Sequence, residues 1–490
     1  MTRQDQRRHT DSDDSITYLG SFERGEMVRS SSSYHDSEVA SKGATSAVPK
    51  PTNWYSSRVM GTWGVVAIVF LYGCGGSIGS GTIITAGGPL VGLVAIAVYP
   101  LVMTVPYGYI LAELCSAFPH DGGFVLWVMN AFGPFWGLQV GYWSWLSGVM
   151  TCALVPGLVL KVIVYNGNFG TPSSLVEYVA NVTIALVLTL PSLGGTKFTS
   201  RVCLVFLVAV LLPFVFDTTA DFSQVRRAVT NATSFVDVVT SGDVDIVWSD
   251  LINMLTWKLG GLNMASLFAG EVKDPSRVFP RAIAITIVLS LLAILLPLVA
   301  AIGAHVMPWT KFDSPVMFTI FARKIGGRFL TVLAIISAVV SASGRYISSL
   351  YCTSFQISGM AENDMLPELF ANKNNRFRAP QYAVLITLVT VLPLQLLSQV
   401  NILKICNGFA CAVELLILFA AVKLRFKMPY IPRPVKMPGG ITVLVLSTVA
   451  PAVLLSYIVY DSLSDESGRC IGAAAVAPGL LYGLYDLLKL

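Results

Sequence analysis

The sequence predicts an all-α integral membrane protein with twelve transmembrane helices. Composition is the first reason, because 54% of the 490 residues are hydrophobic and 12% are charged, whereas a soluble chain carries roughly 25% charged residues. The second is that apolar stretches of about 20 residues, the length that spans a bilayer, recur along the chain. The third is that basic residues concentrate in alternate loops, which is typical of the cytoplasmic side of a membrane protein.

Residues 1–57 differ from the rest of the chain. They are rich in Ser, Asp, Glu, Arg and Lys and have no helical apolar period, so we expect a disordered cytoplasmic tail. They also contain no apolar core of a signal peptide, and the first spanning segment should itself direct insertion. We divide the remainder into a ten-helix core, residues 58–422, and residues 423–490, which hold helices 11 and 12 and a short C-terminus.

Twelve apolar segments follow the tail. In chain order they cover residues 62–84, 89–117, 134–162, 174–191, 202–219, 246–269, 281–304, 328–358, 381–399, 402–422, 440–460 and 471–488. Because twelve is an even number, both termini lie on the same side. Loop charge predicts that this side is the cytoplasm, and the plasma membrane is the default location because no organelle address is present.

Most basic loop residues fall on the predicted inner side, namely Lys197, Arg201, Lys273, Arg277, Arg281, Lys373, Arg376, Arg378, Lys423, Arg425, Lys427, Arg433 and Lys436. The exception is Lys311, Arg323, Lys324 and Arg328, between segments seven and eight. We interpret "FDSPVMFTIFARKIGG" there as a structured extracellular loop with a short helix. The outer loop between segments five and six contains the glycosylation sequon Asn231-Ala232-Thr233.

Segment one contains an unusual stretch, "GCGGSIGSG", from Gly73 to Gly81. It matches the G-x-S-x-G elbow of hydrolases, but the four histidines of the chain all lie in the tail, in a loop or at a segment end. A phosphate loop is disfavoured because no G-K-[ST] follows. Close packing between helices, which small residues permit in membranes, remains an alternative.

Segment six carries a second interruption, "WKLGGLNMASLFAGE", with Lys258 beside Gly260-Gly261. Glycine-broken helices at corresponding places in two repeats are the best sequence indication of a transporter site, and segments one and six each begin a repeat of five. Unwound backbone at membrane depth persists only where it lines a cavity or meets a ligand. We therefore predict a substrate site formed by Gly73, Cys74, Gly75, Gly76, Ser77, Gly79, Trp257, Lys258, Gly260, Gly261 and Asn263.

Three ionisable residues at membrane depth are candidates for ion coupling: Glu414, Lys258 and Arg345. Intramembrane charge is costly and by default functional. Structural interpretations stay open, because Lys258 and Arg345 would also be explained as partners in static ion pairs, and Trp257 as a packing residue. We predict no catalytic residue, cofactor or metal site.

Several motifs resemble one known family. "AELCSAFPHDGGFVLWV" (Ala112 to Val128) and "AGEVKDPSRVFPRAI" (Ala269 to Ile283) resemble inner-loop hallmarks of the amino acid–polyamine–organocation superfamily. "FGPFWGLQVGYWSWLSGV", "FQISGMAENDMLPELFA" and "LLILFAAVKLRFKMPYIPRPVKMP" are similar to the plant and protozoan polyamine uptake transporters, relatives of the L-type amino acid transporters. The resemblance covers residues 58–460. It implies a LeuT-like fold of two inverted five-helix repeats, with helices 1 and 6 broken, and uptake by alternating access with proton symport.

The sequence departs from the polyamine pattern at the positions that carry its acids. Those positions hold Thr151, Asn263, Ser349 and Thr353 here, and Lys258 replaces an asparagine. Two buried cations would repel a diamine by something on the order of several kcal/mol at low dielectric.

We therefore expect proton-coupled uptake of an amino acid, with polyamine:proton symport as the alternative. A nutrient receptor that does not transport is a rival from another class, and a channel is disfavoured because no filter motif is present. Protons and membrane lipid are the other expected partners. The formal charge of +5 is small and unevenly placed, and it does not favour nucleic acid.

Overall fold

The computed structural model describes residues 58–489 apart from residues 171, 221–244, 304–306, 315, 326, 375, 397–398 and 465. The predicted tail, residues 1–57, and the Asn231 sequon lie outside the described residues. Within the described ranges, β-type pairing is limited to two isolated bridges, Met60 with Val272 and Asp121 with Phe268. The protein is therefore all-helical there, as the sequence predicts.

The α-helices are, in chain order, α1 (Thr62–Gly73), α2 (Gly81–Tyr99), α3 (Val105–Ala117), α4 (Phe124–Phe132), α5 (Pro134–Asn166), α6 (Ser174–Leu193), α7 (Gly195–Ala220), α8 (Trp248–Leu259), α9 (Pro275–Gly303), α10 (Met317–Ile325), α11 (Gly327–Ala361), α12 (Gln381–Leu394), α13 (Gln399–Lys427), α14 (Gly440–Ser462) and α15 (Glu466–Lys489). One turn of π-helix, Pro100–Thr104, joins α2 to α3, and 3₁₀ turns cover Leu262–Leu267, Ala269–Glu271, Trp309–Lys311 and Glu368–Ala371.

Eight helical stretches of the described residues are long and apolar enough to cross a membrane: Gly81–Ala117, Pro134–Asn166, Ser174–Leu193, Gly195–Pro213, Pro275–Gly303, Gly327–Ala361, Ile402–Lys427 and Gly440–Ser462. The protein is thus a multi-pass membrane protein. Two shorter apolar helices, Thr62–Gly73 and Gln381–Leu394, also lie within predicted segments. The count of twelve crossings remains a prediction, because eight stretches of the described residues are long and apolar enough to cross a membrane.

A kink separates predicted segments one and two. Gly88, inside α2, has φ 69° and ψ 170°, which is not helical. The next residue is Pro89, and a residue that precedes proline is sterically disfavoured in the α conformation. The sequence "AGGP" therefore ends one helix and starts the next without an intervening loop.

The centre of the molecule is formed by α5 and α11. Val149, Cys152 and Val155 of α5 pack in one buried cluster with Tyr346 and Leu350 of α11. Small residues allow this close approach, because a Cβ at Gly148 would overlap the side chain of Thr353. The short helix expected between segments seven and eight is α10.

Candidate functional site

The glycine stretch of segment one is unwound. The first helix ends at Gly73 and the next begins at Gly81. Gly75, Gly76 and Gly79 have φ of 61°, 98° and 76°, in the region that residues with a Cβ rarely adopt. A helix cannot continue through these conformations, so the carbonyl groups near the end of α1 lose their helical donors and need other partners.

Segment six is interrupted beside this point. After α8 ends at Leu259, Gly260 is extended (φ −93°, ψ −164°) and Gly261 is left-handed (φ 78°). The two breaks touch, because a Cβ placed on Gly73 would lie 2.5 Å from the carbonyl oxygen of Gly260. A Cβ on Gly261 would lie 2.8 Å from the ring of Tyr72. Glycine at both breaks therefore permits backbone contact between the two segments.

Two buried cations bind the carbonyl groups of the first break. Lys258 Nζ donates hydrogen bonds to the oxygens of Cys74 and Gly76, each at 3.1 Å. Arg345 Nη2 donates to the oxygen of Gly73 and, at 3.1 Å, to that of Cys74. Lys258 and Arg345 are 2% and 5% exposed, and neither forms an ion pair with a carboxylate in the part of the chain that the structure describes. Among these residues no ion pair accounts for either cation, and both replace the missing helical donors.

Trp257 packs against both cations. The guanidinium carbon of Arg345 lies 4.1 Å from the centroid of the indole ring, and Lys258 Nζ lies 5.1 Å from it. Gly79 borders the same ring, since a Cβ there would lie 3.5 Å from Trp257 Cζ3. A cation over an indole face is attracted by the ring quadrupole, so Trp257 both packs and stabilises the positive charge.

A carboxylate faces the second break. Glu414 on α13 is 3% exposed, and its Oε1 accepts a hydrogen bond from the Gly261 N–H at 3.4 Å. Its other oxygen, Oε2, and the amide oxygen of Asn263 have no hydrogen-bond partner among the described residues. Buried polar atoms are nearly always paired. The two cations thus contact the carbonyl groups of segment one, whereas the two unpaired acceptor atoms lie at the break of segment six.

Ser77 lies at the edge of this region. With Ile78, Ser337 and Ser341 it lines a small cavity of about 60 Å³. Gly76 packs against the same wall, since a Cβ there would lie 3.3 Å from the hydroxyl of Ser341.

The positions that match the acids of the polyamine pattern are buried hydroxyl groups, apart from Asn263. Thr151 donates to the carbonyl of Ser147 at 3.0 Å and Thr353 to that of Ser349 at 2.9 Å, each within its own helix. Ser349 donates across to the carbonyl of Gly148 at 3.2 Å. The hydroxyl group of Ser349 thus connects α11 to α5, and none of the three hydroxyl groups carries a charge.

Sequence reasoning missed polar groups of segment two that face segment six. The hydroxyl groups of Tyr99 and Thr256 lie 2.8 Å apart, and Thr104 donates to the carbonyl of Leu259 at 3.4 Å. The buried hydroxyl of Tyr107 has no partner among the described residues. The sequence signal that could have identified these groups was a set of polar residues within an apolar segment, spaced along one face around Pro100.

The comparison with known families decides what kind of protein carries this site. An amino acid permease family model matches residues 60–467. The chain belongs to this family. Its transporter relatives make it a secondary transporter and not an enzyme, and the superfamily resemblance of its motifs is confirmed.

Three relatives illustrate the range of the family. A probable polyamine transporter of Arabidopsis thaliana is 32% identical over 433 residues, covering 87% of this chain and 85% of that protein. A polyamine transporter of Oryza sativa subsp. japonica is 31% identical over 429 residues, with 87% and 78% covered. A glutamate/serine transporter of Bacillus subtilis (strain 168) is 23% identical over 357 residues, with 68% and 64% covered. A small-molecule substrate such as an amino acid or a polyamine is therefore implied.

Proposed function

We propose that this permease takes up an amino acid together with a proton, by alternating access. We further propose twelve crossings in a LeuT-like arrangement, cytoplasmic termini and residence in the plasma membrane. The observation that carries the substrate choice is that Lys258 and Arg345 occupy the unwound carbonyl groups of segment one. Such carbonyl groups are the places where a transporter of this kind coordinates cations.

The two resident cations favour an anionic substrate group. An ammonium has three N–H donors, and Lys258 uses two of them on backbone oxygens. The third donor is left for a carboxylate, and a hydrogen bond of this charged kind contributes about 1.5–3 kcal/mol. An amine placed at the same point would instead meet two positive charges.

The opposite side of the break supplies acceptors for an amino group. Glu414 Oε2 and Asn263 Oδ1 are buried and lack partners among the described residues. A zwitterion would place its carboxylate toward Lys258 and its ammonium toward these oxygens. The arrangement of charges thus complements an α-amino acid better than a diamine.

Glu414 is also our proposed proton-coupling group. Among the described residues it has no basic partner that would hold it ionised, so its charge is free to change during the cycle. Lys258 is the second candidate. Arg345 serves as a fixed positive charge, because a guanidinium stays protonated in proteins.

Polyamine:proton symport is the alternative. Its support is that several relatives at 31–32% identity are named polyamine transporters. Glu414 and Asn263 would then receive the amines. A receptor that binds without transport has less support, since both broken segments and the transporter family are present.

The test is uptake by purified protein in vesicles, with labelled amino acids and labelled putrescine at two external pH values. We expect amino acid uptake that rises with an inward proton gradient and falls with a protonophore. Uptake of putrescine that no amino acid competes would establish the alternative. Uptake that ignores pH and stops when sodium is removed would refute the proton coupling. Preloaded substrate should leave faster when unlabelled substrate is added outside, which a receptor cannot do.

A further inference from the structure

A large basic cavity lies away from the two breaks. It has a volume of about 590 Å³, and its lining includes Lys197, Arg201, Arg376, Arg378 and Glu271. Small-ligand sites measure roughly 300–1,000 Å³, so it accommodates a molecule larger than a lone phosphate ion. None of these five residues belongs to the proposed substrate site.

The charge of the cavity is strongly positive. All four cationic side chains are exposed, and none of them forms an ion pair in the part of the chain that the structure describes. Glu271 is the one acid among the lining residues, and it is 8% exposed. Four cations facing one acid leave a net positive charge, which suits a multiply charged phosphate compound, since Arg and Lys both bind phosphate oxygens.

The two walls of the cavity are held in contact. One wall is the start of α7, and the other is the turn that contains Arg376, Phe377 and Arg378. The Phe377 carbonyl approaches Gly195 so closely that a Cβ at Gly195 would overlap it. Arg378 has φ 54°, a conformation that is strained for a residue with a Cβ, and strained residues persist where the surroundings over-determine them and cluster at binding sites.

The position of the cavity points to a lipid as the source of the phosphate. The helix that forms one wall spans the apolar stretch Gly195–Pro213, and Val205, further along that helix, is 65% exposed, as expected of a lipid-facing residue. Two aromatic rings lie at the lining, with Phe198 52% and Phe377 46% exposed. A headgroup in the cavity would therefore have its acyl chains along the apolar face of α7.

We propose that this cavity binds the phosphorylated headgroup of an anionic membrane lipid. Basic pockets beside membrane helices recognise such headgroups by charge and hydrogen bonding. The site is separate from the transport site and does not depend on which substrate is carried.

The test uses the purified full-length protein in detergent, titrated with a fluorescent short-chain phosphatidylinositol bisphosphate. Lys197→Gln with Arg376→Gln removes one charge from each wall and should raise the half-saturating concentration about tenfold or more, because each cation near a phosphate contributes about 1 kcal/mol. Arg201→Gln with Arg378→Asn is a second pair in case the first does not fold. Arg277→Gln with Arg281→Gln is the matched control, since both arginines are exposed near the start of α9 and outside the cavity lining.

Binding that weakens in the cavity pairs but not in the control supports the proposal. Equal weakening in the control pair would mean that the effect is general electrostatic attraction, and it would overturn the proposal. An absence of binding would overturn it as well. Equal competition by short-chain phosphatidylserine at matched charge would show that the phosphate monoesters of the headgroup are not recognised, and it would overturn the proposal. Soluble inositol trisphosphate that binds as tightly as the lipid would make this a site for a free phosphate compound and overturn the lipid assignment.

Discussion

Lys258 and Arg345 place two positive charges where segment one is unwound, and both are held by backbone oxygens. A cation without a carboxylate partner is costly at membrane depth, so its presence there indicates a function. We therefore propose that Lys258 decides which charge the substrate carries beside the first break, and a substitution there tests selectivity directly.

Replacing Lys258 with Asn and Asn263 with Asp restores the two residue types of the polyamine pattern. We expect the ratio of putrescine uptake to amino acid uptake to rise about tenfold or more, since a charge-assisted hydrogen bond is lost for a carboxylate and an acid is gained for an amine. Competition of labelled amino acid uptake by putrescine measures this ratio.

Thr353→Ser is the control for this double substitution, because it keeps the hydroxyl group of a residue that is buried as deeply as Lys258 and Asn263. A double variant with reduced rate but unchanged preference would mean that Lys258 only supports the backbone of the break. That result would remove the substrate role proposed for it.

At the scale of the elements, glycine and proline in the sequence were enough to locate the interruptions. "GCGGSIGSG" and "LGG" predicted the two breaks, and the boundary between segments one and two coincides with "AGGP" at the Gly88 kink. The partners of the exposed carbonyl groups were not predictable, because they depend on how α8 and α11 are rotated about their axes. Lys258 and Arg345 were recognised as unusual from their depth, but their shared contact with Cys74 is a tertiary fact.

Gly73→Ala tests the contact between the two breaks. A Cβ at residue 73 would lie 2.5 Å from the carbonyl oxygen of Gly260, and overpacking of this kind typically costs about 1–3 kcal/mol. We expect a lower midpoint of thermal unfolding and reduced uptake, although alanine is intrinsically the better helix former.

Gly170→Ala is the matched control, because nothing lies within 4 Å of a Cβ at that position. It should leave both the midpoint and the uptake close to wild type. A Gly73→Ala variant as stable and active as the control would show that the two breaks separate easily, and that their contact does not define the site.

For the whole molecule, composition and periodicity predicted the class of fold, and motif order predicted the family. Charge patterning in the loops predicted an orientation that residue contacts do not test. The basic cavity escaped prediction because Lys197 and Arg201 are far in sequence from Arg376 and Arg378. In the sequence these residues belong to two separate basic loops. Their convergence depends on the approach of Phe377 to Gly195.

Stability against pH is a property of the whole molecule, and one residue of this cavity should contribute to it. Burial, together with the negative charge of Asp121, raises the pKa of Glu271 to about 7 from an ordinary value of 4.5. The native protein therefore holds this proton over a range in which the unfolded chain has released it, so the contribution of Glu271 to stability falls as pH rises from about 4.5 to about 7 and then levels off. A shift of this size corresponds to at most about 3 kcal/mol.

Glu271→Gln should remove this part of the pH dependence, because glutamine has nearly the same shape and no charge to bury. The variant should match wild type near pH 4.5 and exceed it progressively up to pH 7.5 in the midpoint of thermal unfolding, measured on purified protein in detergent. Glu368→Gln, at an exposed position, controls for the general effect of losing a negative charge and should follow wild type at every pH. A constant offset between Glu271→Gln and wild type over this range would mean that the pKa of this carboxyl group is not raised in the native protein. The surrounding cations of the cavity would then outweigh the effect of burial at Glu271.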